Sequence, residues 1–221
     1  MFNSVQEIVR QFRQKRNMRA ISEWNKIEGF TDATAAYALY SFARSLPEGA
    51  VCVEIGVWKG RSAYCIARGL KGRSKLIAID PFDASGEPGS QEIYENTKGA
   101  RPLDVQFKNA MSRYGVSNRI ELKVGYSNEF VGDVGEIDLL FIDGDHSING
   151  ATYDYETYAP KIKPGGYLVF DDYDPTRKQL GPTNVIETRV YPSLLFDFVG
   201  LRGRLWIGKR RLEPWAIECA F

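Results

Sequence analysis

A single histidine, His146, stands among 221 residues, and cysteine is almost as scarce, with three. Zinc sites are built from spaced sets of imidazoles and thiolates, and such sets are missing here. Cys52 and Cys65 fall in apolar stretches and Cys219 near the last residue. An odd, sparse set without metal spacing reads as reduced thiols and a cytoplasmic setting. Charge of one sign is also missing, since 29 Lys and Arg face 28 Asp and Glu. Bulk electrostatic attraction to nucleic acid or to a membrane surface therefore has no basis. No apolar run comes near the ~20 residues that a bilayer span requires. The opening stretch MFNSVQEIVRQFRQKR reaches its charges before any signal-peptide core. The expected partner is a small molecule, with no nucleic acid and no membrane span.

What is present is an ordered alternation. Residues 4–24 carry Val5, Ile8, Val9 and Phe12, then Met18, Ile21 and Trp24, at helical spacing. A second helix is predicted over 33–46, capped by Thr31 or Asp32. Strands follow at 50–56 (AVCVEIG), 75–80 (KLIAID), 120–124 (IELKV), 137–143 (IDLLFID) and 166–172 (GYLVFDD). Helical segments separate them at 61–70, 103–115 and 149–162. Continuous apolar strands spaced by helices predict a doubly wound α/β fold with a parallel sheet covered on both faces. Residues 193–200 and 203–210 flank Leu201-Arg202 and read as an antiparallel hairpin at the sheet edge. The expected organisation is an N-terminal helical extension (1–48), a ligand-binding domain (49–212) and a short tail (213–221).

Open parallel sheets bind ligands beyond the carboxyl ends of their strands, where strand order reverses. Strand one ends in EIGVWKGRS, whose Gly56 and Gly60 allow a tight turn and a close backbone approach. Trp58 stands where the dinucleotide fingerprint needs its second glycine, which argues against a nicotinamide or flavin enzyme. Strand two ends in Asp80, 24 residues beyond Gly56 and placed to accept from ribose hydroxyls. Pro81 and Phe82 suit one face of an adenine ring, and Gly125-Tyr126-Ser127 its edges. Asp143 and Asp145 close strand four, and Asp171-Asp172 close strand five. Four acids in one region repel unless a cation joins them. Oxygen ligands favour magnesium first, or manganese or calcium.

At these residues the chain resembles the class I S-adenosylmethionine-dependent methyltransferases. In particular it resembles the divalent-metal-dependent O-methyltransferases of the catechol and caffeoyl-CoA type, the macrocin-type sugar O-methyltransferases and a broader group of small relatives. VEIGVWKGRSAYCIARGL, LIAIDPF, IDLLFIDGDHS and KPGGYLVFDDY carry the resemblance, over roughly 50–172. It implies a Rossmann-like sheet of seven strands, mostly parallel with a C-terminal antiparallel hairpin. It also implies S-adenosylmethionine as cofactor, bound by Glu54, Gly56, Gly60, Ser62, Asp80, Pro81, Gly125, Tyr126, Ser127 and Asp143. Within that set, Ser62 would bond the cofactor carboxylate and Asp80 the ribose. The metal ligands so implied are Asp143, Asp171 and Asp172.

The implied reaction is O-methylation of a small hydroxylated acceptor, a sugar or glycoconjugate in preference to a plant phenol. His146 falls where the catechol-type enzymes place a lysine base, whereas the macrocin group assigns that step to a metal-bound aspartate. His146 and Asp143 are therefore both catalytic candidates, and the alternative for His146 is to order its loop. Residues 83–102 are long for a connector and suit a lid. Arg177 and Lys178 offer charge to an anionic substrate group, with solvated loop charge as the alternative. The apolar tail points to a homodimer. Two rival readings share the fold: metal-dependent oxidation, as in hydroxylase-like relatives, and an adenosyl-nucleotide-binding module without catalysis.

Overall fold

The computed structural model describes residues 18–86 and 90–212. Seven strands form one sheet: β1 (Val51–Ile55), β2 (Lys75–Asp80), β3 (Ile120–Val124), β4 (Ile137–Ile142), β5 (Ile162–Phe170), β6 (Phe196–Arg202) and β7 (Leu205–Arg210). Their order is β3-β2-β1-β4-β5-β7-β6. The pairs from β3 to β5 are parallel and β7 is antiparallel to both its neighbours. The predicted class is the observed one. β4 is buried at every position, as its unbroken apolar sequence requires when helices cover both faces.

Helices α1 (Ala33–Ser45), α2 (Arg61–Gly69), α3 (Gln91–Thr97), α4 (Leu103–Arg113), α5 (Ile148–Tyr158) and α6 (Gly181–Val185) connect or precede the strands. Asp32 caps α1 by accepting from the amides of Thr34 (2.7 Å) and Ala35 (2.8 Å). One core, with Leu39, Ile66, Phe107 and Met111, lies against α1, α2 and α4. A second, with Ile137, Tyr158, Phe170 and Trp206, lies on the other face. Asp138 ties strand starts together, accepting from the Val51 amide at 2.8 Å and the Lys163 ammonium at 3.0 Å.

Strand order reverses between β1 and β4, so their carboxyl ends open the crevice. There the amide of Asp143 donates to the carbonyl of Ile55, and that of Gly56 to Ile79, each at 2.9 Å.

Several expectations shift. The hairpin turns at Gly203-Arg204, two residues later than predicted, because β6 runs through Leu201 and Arg202. Residues 181–190, where no element is expected, form α6 and a continuing wider helical turn over Ile186–Val190. GPTN reads as a turn in isolation, yet Pro182 sits in the first helical turn, where its missing amide costs nothing. β5 starts at Ile162 and ends at Phe170, leaving Asp171 and Asp172 in the loop beyond it. The presumed lid segment contains α3. Most of the first predicted helix and the tail behind the homodimer expectation lie outside the described residues.

Gly56 has φ 85°, and a Cβ there would overlap the carbonyl of Asp143. Gly49 has a similar φ of 83° with nothing within 4 Å. Urea denaturation should therefore show Gly56→Ala costing about 3 kcal/mol or more and Gly49→Ala about 1 kcal/mol. Equal losses would mean that backbone strain alone, and not the β1–β4 contact, demands glycine at 56.

Candidate active site

The glycine turn is held together mainly by the protein itself. Asp80 accepts from the amides of Val57 and Trp58 at 2.8 Å and of Phe82 at 2.7 Å. A carboxylate offers about four lone pairs, so these three amides leave about one for a ribose hydroxyl. Burial raises the Asp80 carboxyl above its ordinary value, and these amides offset part of that rise. Gly60 (φ 93°) begins α2, and a Cβ there would meet Met111 at 2.6 Å, so packing against α4 already demands glycine. Pro81, half-buried, follows Asp80.

Ser62 is buried, and its hydroxyl donates to Glu54. Without a ligand, the Ser62 hydroxyl expected at a cofactor carboxylate makes this internal bond. Glu54 is fully buried, and its second oxygen has no hydrogen-bond partner among the described residues. Burial, then the nearby charges of Asp143 and Asp80, push its carboxyl well above the usual range against the bond from Ser62. Burial thus disfavours the charged form of Glu54, since an unpaired charge is costly in a dry site.

Beyond β3, Gly125 (φ 152°) leads into Tyr126, whose amide donates to Glu129 at 2.7 Å. The Tyr126 ring is 53% exposed and its hydroxyl donates to Asp83 at 2.6 Å. Ser127 donates to Asp154 at 2.6 Å, and Tyr158 donates to the Ser127 carbonyl at 2.6 Å. Tyr126 is open to a ligand, whereas the Ser127 hydroxyl is already engaged.

At the ends of β4 and β5 the structure gathers Asp143, His146 and Asp172, with one donor atom from each within 4.8 Å of the others. His146 Nε2 lies 3.3 Å from Asp172 Oδ2 and 3.9 Å from Asp143 Oδ1. Burial first, then the charge of Asp171, push the Asp143 carboxyl up to about 8, with His146 opposing. Of the expected trio, Asp143 and Asp172 fall in this cluster together with His146, and Asp171 lies beside it. Asp171 is 6% exposed and accepts from the Asp172 amide at 2.8 Å. Asp172 itself has φ 57°, a left-handed conformation that needs support from its surroundings. Asp145 stands apart, accepting from the amide and the hydroxyl of Ser147, the cap of α5.

Sequence reasoning missed Arg204. Its Nη1 lies 2.6 Å from Asp172 Oδ1 and its Nη2 3.9 Å from Asp171 Oδ2. The signal was the hairpin register: Phe170 pairs with Trp206, which sets Arg204 level with Asp172. Lys178 pairs with Glu187 and Arg177 is exposed. Trp58, Phe30 and Tyr94 form an aromatic cluster with ring centroids 5.3–6.0 Å apart. Buried Lys59 donates to the carbonyl of Thr97 at 2.7 Å and pairs with Glu28, so α3 is fastened to the glycine turn.

Residues 53–173, from β1 through the acid cluster, match the family described as a methyltransferase domain. The chain belongs to that family. It is 32% identical over 130 residues to uncharacterized protein R132 of Acanthamoeba polyphaga mimivirus, covering 57% of this chain and 52% of the relative. It is 23% identical over 173 residues to uncharacterized protein y4gI of Sinorhizobium fredii, covering 74% of this chain and 18% of that one. The chain thus spans about half the length of the first relative and under a fifth of the second. Among solved structures, a methyltransferase from Geobacter sulfurreducens aligns with TM-score 0.61 at 16% identity over 90% of both chains. The O-methyltransferase TomG of Streptomyces achromogenes, in complex with S-adenosylmethionine, aligns at 0.59 and 16% over 90% of this chain and 89% of that one. An O-methyltransferase from Bacillus cereus in complex with S-adenosylhomocysteine aligns at 0.58 and 15% over 89% and 90%. At such identities the likeness is one of fold.

Asp154 supplies a pH signature for this methyltransferase domain. Burial raises its carboxyl to about 6, against the bond from Ser127. A raised carboxyl binds its proton better folded than unfolded, so the benefit is full below the unfolded pKa near 3.9 and is lost as pH rises through about 6. Stability of wild type relative to Asp154→Asn should fall by roughly 2 kcal/mol between pH 4 and pH 7.5, read from urea midpoints. A difference independent of pH would show that Asp154 is not desolvated in solution.

Proposed function

We propose that residues 49–212 form an S-adenosylmethionine-dependent O-methyltransferase acting on a small hydroxylated acceptor with the help of a divalent cation. One observation carries this reading: the glycine turn after β1 and the Asp143–His146–Asp172 cluster share the crevice between β1 and β4. Methyl donor and acceptor must meet at one place, and here the two half-sites touch. The cofactor complexes of the TomG and Bacillus cereus structures support the choice of donor.

The cofactor would lie along Gly56–Gly60, with Asp80 and Pro81 at its nucleoside end and Tyr126 beside the base. The orphaned oxygen of Glu54 fits a ligand that brings a donor group to the turn. Three donor atoms converging beside a carboxyl pushed up to about 8 fit a cation, which would return Asp143 to its charged form. Because one donor is an imidazole, manganese suits the set better than the magnesium expected from oxygen ligands alone. When bound, such an ion lowers the pKa of an acceptor hydroxyl and orients paired oxygens, as on a sugar.

The acceptor oxygen attacks the sulfonium methyl carbon in line, its proton leaves to a base, and the carbon–sulfur bond breaks to release the thioether. Asp143 is assigned as that base, with His146 beside it orienting the acceptor side of the cluster. The imidazole in the donor set also suits iron, which keeps oxidation on the same fold as the second reading.

Calorimetry with S-adenosylmethionine should show binding in wild type and in Asp172→Asn. Asp172→Asn should lose manganese binding and at least 100-fold in methyl transfer, followed with labelled cofactor across hydroxylated metabolites and glycans. No heat with well-folded wild type removes every methyl-donor reading. Unchanged methylation in EDTA removes the metal. Acceptor turnover without label transfer selects the oxidative reading.

A further inference from the structure

The acid cluster already holds a cation of its own. We infer that Arg204 is its resident counter-ion and competes with a divalent cation for Asp172, an inference that rests on the metal reading above.

The geometry behind it is specific. Arg204 Nη1 sits 2.6 Å from Asp172 Oδ1, while Asp172 Oδ2 faces His146 Nε2 at 3.3 Å. One oxygen of Asp172 is therefore held by Arg204 and the other lies beside the His146 ring, so an ion arriving at Asp172 meets the guanidinium as its neighbour. A guanidinium and a dication on one carboxylate repel each other, so the ion binds at full strength only when Arg204 withdraws.

The backbone holds Arg204 in place while its side chain stays free to leave. Its carbonyl accepts from the Tyr173 amide at 3.1 Å, in line with the β5–β7 register. Gly203 beside it turns at φ 63°, and a Cβ there would lie 3.2 Å from the Asp32 carboxylate that caps α1. The hairpin tip is thus seated, yet the Arg204 side chain is 57% exposed. Rotation about its own bonds is enough to release Asp172.

An alternative use for Arg204, gripping an anionic group on the acceptor, is disfavoured by its surroundings. Asp32, Asp143, Asp171 and Asp172 all act on it electrostatically and would repel such a group. Arginine beside that many carboxylates neutralises them.

The test is titration of manganese into cofactor-free protein, at low ionic strength, by calorimetry. Arg204→Gln should bind manganese about tenfold more tightly than wild type, the scale of one exposed charge-assisted contact. Without metal the variant should melt lower than wild type, and saturating manganese should narrow the gap. Arg204→Lys keeps the charge and loses the fork, so its affinity should fall between the two. It also serves if the glutamine variant does not fold, and wild-type affinity in that variant then overturns the competition. Equal or weaker binding by Arg204→Gln overturns the inference and leaves the metal reading standing. No manganese binding by any of the proteins overturns the metal reading, and the competition falls with it.

Discussion

Carboxyl groups crowd the carboxyl edge of this sheet, and much of the local structure acts to keep their charges tolerable. Each is handled in its own way. Asp80 receives three backbone amides, the Glu54 carboxyl is pushed well above the usual range by burial, and Asp154 is bonded by Ser127. Asp172 faces Arg204 on one side and His146 on the other. Asp143 keeps a conflict of its own, a half-buried carboxyl that burial and the charge of Asp171 push up to about 8. Buried charge is expensive unless paired, which is why these carboxyls carry donors, a counter-charge or a raised affinity for a proton.

The same crowding explains the backbone around them. Gly56 lies against the Asp143 carbonyl, and Gly60 against Met111 and Phe107. These contacts draw β1, β4 and α4 together so closely that a side chain at either glycine would part them. A glycine pattern of this kind resembles a ligand cradle in sequence, and in the structure it is first a packing device. The two uses are compatible, since a turn already held by Asp80 and by packing is ordered before any ligand arrives.

Legibility followed the range of the interactions involved. The five parallel strands and their helices were readable because each buries a local run of apolar residues, and periodicity is a local property. The cap at Asp32 and the acids closing β4 and β5 were readable for the same reason. The aromatic contact among Phe30, Trp58 and Tyr94 was not, since it joins three segments distant along the chain. The α6 region was obscured because GPTN carries turn chemistry, and only burial of Val185, Ile186 and Val190 against the second core reveals its helix.

What the sequence by itself determined was the sheet, the strand ends that carry chemistry, and the family to which those motifs belong. Only the tertiary structure decided which acids act together. Asp171 and Asp172 are neighbours in sequence, yet only Asp172, at a left-handed turn, brings an oxygen close to both Asp143 and His146. His146 entered the cluster with Asp172, 26 residues away, and Arg204 joined from the opposite side of a hairpin. Side chains meet across strands according to register and backbone conformation, and neither quantity is set by the residues at the meeting point.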